Sequence, residues 1–185
     1  MAQFVPIRTV DDIPENIRDT PIGWLLRYHD LGEEHRVHER PEVLVGMCMD
    51  HRKSLRIPPN FAYILRSGGA NFRRHEFKVS FAIAVGGVRH FALIGHSQCG
   101  MVDLESRREQ FIKGLVANAG WDADAAAAHF DRFAPEFEIA DAADFVLEEA
   151  IRLAGLYPAV RIVPMFYEVE SGLISIVTAE LPVSR

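Results

Sequence analysis

The chain has 185 residues, 49% of them hydrophobic and 25% charged, with a formal net charge of −6. That length and apolar content suffice for one sizeable core, a single domain over residues 1–185. The acidic balance argues against a nucleic-acid partner, and Arg73-Arg74 is too short a run to supply the missing basic footprint. No basic segment with a following apolar run opens the chain, and no stretch approaches the ~20 apolar residues of a membrane span. A soluble, cytoplasmic protein without a membrane partner is therefore expected.

Residues 1–40 read as an N-terminal arm rich in prolines, charges and histidines, with one apolar patch at Ile22, Trp24, Leu25 and Leu26 of docking-helix length. From Glu42 the pattern changes. Val43 to Met49 is a near-continuous apolar run of strand length, as expected of a strand covered on both faces. Phe61 to Leu65 predicts a second strand, Glu76 to Val88 a helix ending at Gly86-Gly87, and His90 to Gly95 a third strand. Met101 to Gly155 reads as mostly helical, with breaks near Gly120-Trp121 and Pro135. Ile139 to Leu156 carries an apolar stripe at Ala143, Val146, Leu147, Ala150, Ile151 and Ala154. Val160 to Val169 returns to strand character, and Ser171-Gly172 turns the chain into a final short strand from Leu173 to Val177. Strands separated by helix-length segments predict an α/β fold, a mainly parallel central β-sheet flanked by helices.

Cysteines 48 and 99, the two in the chain, exclude a multi-disulfide scaffold and leave inert burial or metal chemistry as the alternatives. Spacing favours metal. Cys48, Asp50 and Arg52 recur at alternate positions where the first strand gives out, so an extended backbone would aim all three to one side. His96 and Cys99 follow the third strand between Gly95 and Gly100, where a three-residue offset can bring both side chains to one point. Both clusters then lie at carboxyl ends of strands, where open α/β sheets place their sites. Two thiolates and one imidazole are a good zinc set, and three protein ligands leave a position open, as catalytic sites do.

Cys48-Met49-Asp50-His51-Arg52, Arg66-Ser67-Gly68-Gly69 and Gly95-His96-Ser97-Gln98-Cys99-Gly100 together resemble the three ordered signature segments of the β-carbonic anhydrases. Tyr167-Glu168-Val169 followed by Ser171-Gly172-Leu173 is similar to a late segment of the same family. The resemblance implies a β-carbonic-anhydrase-like fold, Zn2+ on Cys48, His96 and Cys99, and Asp50 oriented by Arg52 as the catalytic pair. It implies reversible hydration of carbon dioxide to bicarbonate, and a homodimer or dimer of dimers with the cleft near the interface. The patch at Ile22, Trp24, Leu25 and Leu26 offers a contact surface for it, with packing onto the chain's own core as the alternative. No glutamine occurs from Leu31 to Met47, and Ser67 stands where an asparagine is commoner, which points to a divergent branch. Two further readings stay open: hydrolysis of carbonyl sulfide or carbon disulfide on the same ligands, and a non-catalytic zinc-binding relative in which Asp50 closes the metal site.

Overall fold

The computed structural model describes residues 1–179; residues 180–185, the end of the single domain expected over 1–185, lie outside the described residues. Strand β1 (Ala2–Pro6) precedes helices α1 (Glu15–Arg18) and α2 (Pro21–His29), and then come β2 (Val43–Met47) and β3 (Ala62–Arg66). Helix α3 (Glu76–Ala84) leads to β4 (His90–His96), which α4 (Arg108–Ala119), α5 (Ala123–Phe137) and α6 (Ala142–Leu156) follow. Strands β5 (Arg161–Tyr167) and β6 (Ile174–Ala179) complete the described chain. The sheet order is β1-β6-β5-β4-β2-β3. β3, β2, β4 and β5 run parallel, while β6 and β1 are antiparallel additions at one edge.

The apolar run of β2 is buried at every residue. Strand side chains alternate between faces, so such a run needs a packed layer on each side. Val43, Val45 and Met47 meet Ile13, Ile17, Ile22, Leu25 and Leu26 from α2 and the segment before it. Leu44 belongs to the opposite layer, with Val79 of α3 and Val146, Ala150 and Leu153 of α6. Gly46 faces that second layer, where an added Cβ would stand 2.6 Å from the Phe91 ring and 2.8 Å from that of Phe72. Its missing side chain lets two phenylalanines close over the strand that leads to Cys48. Among the described residues no helix is long and apolar enough to cross a membrane.

Two expectations are corrected. The patch of the N-terminal arm is no free contact surface, because Ile22, Leu25 and Leu26 have 0% exposure inside the chain's own core. The arm also starts with a strand: β1 pairs with β6 from Ala2↔Ala179 to Pro6↔Ser175. The break expected near Pro135 falls just beyond it, between Phe137, where α5 ends, and Ala142, where α6 begins, so α5 runs through the proline itself. A proline removes one N–H and crowds the carbonyl four residues back, but less than a turn lies beyond it, and Glu138 N still donates to Ala134 O at 2.9 Å. The break expected near Gly120-Trp121 is found, with Gly120 capping α4.

Candidate metal centre

β2 and β4 are parallel neighbours, Met47 pairing with Ile94, so the segments leaving their carboxyl ends emerge side by side. Cys48 is the first residue past β2, and His96 is the last of β4. Gln98 then takes a left-handed φ of +57°, and the turn returns Cys99 to place its Sγ 4.0 Å from that of Cys48. Cys48, His96 and Cys99 are 3%, 0% and 5% exposed. Their ligand atoms all lie within 4.8 Å of one another, and no other such group of three exists among the described residues.

The geometry and the chemistry of this set fit a metal ion. Two thiolates ~2.3 Å from a tetrahedral metal stand about 3.8 Å apart, close to the 4.0 Å found here and far from a disulfide. His96 Nδ1 lies 2.8 Å from the Ser97 carbonyl and donates to it. That leaves Nε2 as an acceptor, and it is buried without a partner. An orphaned acceptor costs free energy that a cation at its lone pair removes. The thiols conflict in the same way: the hydrogen bond with Cys99 draws Cys48 toward its thiolate, and that contact, with burial second, pushes Cys99 up. A coordinated dication lets both ionise.

Asp50 and Arg52 do meet, but not by strand alternation. Past Met47 the chain leaves the sheet and turns at His51-Arg52. The Asp50 side chain itself makes that turn, its Oδ1 accepting from Arg52 N at 2.9 Å, a local bond that competes with extension. Arg52 then grips the carboxylate with one edge of its guanidinium, Nε to Oδ1 at 3.0 Å and Nη2 to Oδ2 at 2.8 Å. These bonds hold the Asp50 carboxyl well below the usual carboxylate range. Asp50 lies outside the clustered ligand set.

Further residues hold the set in place: Arg66, Gly68, Ser97 and Glu168 stand in the resembling segments, whereas nothing in the sequence marks Lys53. Lys53 is buried at 5% exposure, its Nζ donating to the Cys48 carbonyl at 2.8 Å, and burial draws its ammonium down to about 8. Arg66 Nη1 reaches the carbonyls of Cys48 and Asp50, each at 3.3 Å. Ser97 Oγ donates to the Glu168 carboxylate and accepts from Val169 N at 3.0 Å, which joins the late Tyr167-Glu168-Val169 segment to the ligand loop. Gly68 leaves room for Met101, whose sulfur would stand 3.0 Å from an added Cβ. An apolar cavity of about 270 Å³ opens beside Met49 and Met101, lined by Phe111, Phe130, Phe133 and Phe137. Another of about 440 Å³ touches His96, Gln98 and Cys99.

No family model matches the sequence, nor does any curated protein. Solved structures do. A carbonic anhydrase from Streptococcus mutans superposes with a TM-score of 0.58 at 20% identity, over 85% of this chain and 95% of its own. A β-carbonic anhydrase from Trichomonas vaginalis gives 0.58 at 17% identity, over 79% and 88%. The apo form of a carbon disulfide hydrolase gives 0.51 at 21%, over 73% and 77%. The fold is thus the β-carbonic-anhydrase fold, as the resemblance implied, and these neighbours are enzymes.

Proposed function

We propose that this chain hydrates carbon dioxide reversibly to bicarbonate and a proton, with Cys48, His96 and Cys99 holding Zn2+ and Asp50 and Arg52 as the catalytic pair. One observation carries the reading: three buried ligand atoms lie within 4.8 Å of one another, with an Arg52-bound carboxylate beside them and outside the set. Sulfur, sulfur and imidazole suit zinc, and a three-ligand set leaves room for reactants. When bound, zinc supplies a Lewis acid that makes a nucleophile of water near neutral pH.

The chain's own groups supply the orientation. Asp50, kept ionised by Arg52, can only accept hydrogen bonds, so it directs the attacking water without taking its proton at neutral pH. Arg52 stays charged and fixes the plane of that carboxylate. The Ser97 carbonyl fixes the His96 tautomer so that Nε2 faces inward as a ligand. The fold shared with the Streptococcus mutans carbonic anhydrase supports the reading at the level of analogy. Stopped-flow carbon dioxide hydration, with zinc measured by elemental analysis, tests it: turnover should scale with zinc content. Fully zinc-loaded protein that leaves the uncatalysed rate unchanged overturns it.

The apolar cavity beside Met49 and Met101, where His129 is the one titratable side chain, favours a second reading on the same ligands. Hydrolysis of carbonyl sulfide or carbon disulfide would suit such a lining, and kcat/KM for the three substrates ranks the two readings. A closed, non-catalytic site would need Asp50 on the metal, and the Arg52 bonds to both its oxygens oppose that. A homodimer or dimer of dimers is the assembly the resemblance implies, and light scattering over a concentration series tests it.

A further inference from the structure

Arg52 has five N–H donors, and its fork has two sides to satisfy. One side holds Asp50. On the other, Nη1 donates to Gln98 Oε1 at 2.9 Å and Nη2 to the Gln98 carbonyl at 2.8 Å. One residue thus accepts twice, once through its side chain and once through its backbone, and it sits between His96 and Cys99. Its φ of +57° is uncommon for a residue with a side chain, and such strain persists where surrounding bonds over-determine it. The amide has one orientation. Oε1 must face the guanidinium, which leaves Nε2 to donate to Glu170 Oε1 at 3.3 Å, an acceptor only.

We propose that Gln98 is a positioning residue: its two oxygens clamp Arg52 and so hold Asp50 clear of the metal position, with Glu170 fixing the Gln98 amide. The proposal rests on the functional reading above, because a carboxylate released by Arg52 is itself an acceptable zinc ligand and would occupy the position that reactants need. The clamp also links the loop after β2 to the loop after β4 across 46 residues of sequence. Metal ligation and nucleophile orientation are thereby built on one connected set of bonds.

The test uses full-length Gln98→Ala and the double variant Gln98→Glu/Glu170→Gln, which swaps carboxylate and amide but keeps an acceptor facing Arg52. Two readouts are followed: carbon dioxide hydration by the zinc form, and thiocyanate affinity of the cobalt-substituted form from its visible absorption. In Gln98→Ala, kcat should fall about tenfold with KM within about twofold, the factor expected for one hydrogen bond to a charged group. Thiocyanate should bind about tenfold more weakly, since Asp50 then competes for the metal, while metal content stays at one per chain as in the wild type. The double variant should recover both to within about threefold. Gln98→Gly, which suits the left-handed backbone, should match Gln98→Ala and separates a lost bond from a folding defect. Wild-type thiocyanate affinity in metal-loaded Gln98→Ala or Gln98→Gly overturns the clamp. Absence of turnover in zinc-loaded wild type would instead sink the functional reading, and the thiocyanate titration would still decide the clamp.

Discussion

Glu149→Gln should destabilise the protein by about 3 kcal/mol, a figure that follows from how the carboxylate is used. Glu149 lies on α6 with 0% exposure. Its Oε1 accepts from Phe72 N at 3.1 Å and from Arg152 Nη2 at 2.8 Å, and Oε2 accepts from Arg152 Nε at 2.7 Å. Phe72 follows the Gly68–Ala70 turn, which Asn71 closes through its N–H to the Gly68 carbonyl, so one side chain ties α6 to the loop on which Met101 packs. Glutamine keeps one acceptor but turns an amide N–H2 toward the arginine, donor against donor. Breaking a buried pair from one side costs about 3–5 kcal/mol. The lower end applies because Arg152 retains Glu76 and its side chain is 29% exposed. In a chain of this size ~3 kcal/mol lowers Tm by about 6–12 °C. Urea unfolding should show the same loss with an unchanged m-value. A loss below ~1 kcal/mol at constant m would refute the reasoning.

Alanine at Cys48, His96 or Cys99 should strip the metal, and full zinc occupancy in any of the three would overturn that ligand's assignment. Asp50→Asn and Arg52→Ala should keep zinc yet lose at least about 100-fold in kcat, the scale of a misoriented reacting group; unchanged turnover in Asp50→Asn counts against the pair. Burial draws His29 down to about 4 and pushes Asp30 up to about 6. The contribution of His29 is full above its unfolded value of 6.5 and is lost as pH falls toward 4, whereas that of Asp30 is full below 3.8 and is lost as pH rises through 6. Asp30→Asn, which can still accept from Ile174 N at 3.1 Å, should therefore be more stable than wild type at pH ~8 and lose that advantage by pH ~4. Equal urea midpoints at the higher pH would contradict this.

The parts of the structure legible in the sequence are those whose cause is local or periodic. β2 and β4 announce themselves as apolar runs because each must be buried on both faces. Cys48, His96 and Cys99 stand out because strand ends and flanking glycines confine where they can point. The turn at Asp50 escaped notice because alternation and an Asx-type turn use the same Asp-x-Arg spacing, and the choice between them rests on one backbone bond. Ile22, Leu25 and Leu26 show that a face is apolar, but periodicity does not say whether the chain's own sheet or another subunit covers it.

The polar residues that matter most to the site were the hardest to read, for one physical reason. Lys53, Gln98 and Glu149 look like surface residues; Lys53 bonds the Cys48 carbonyl five residues back across a turn, while Gln98 and Glu149 owe their roles to Arg52 and Phe72 N, partners brought close by the tertiary fold. A hydrophobic pattern records where the chain avoids water. It carries no record of which distant donor will meet which acceptor, and the partners Gln98–Arg52 and Glu149–Phe72 are 46 and 77 residues apart. The ligand set is therefore legible as a motif, while the bonds that hold Asp50 beside it become visible only when the two loops meet.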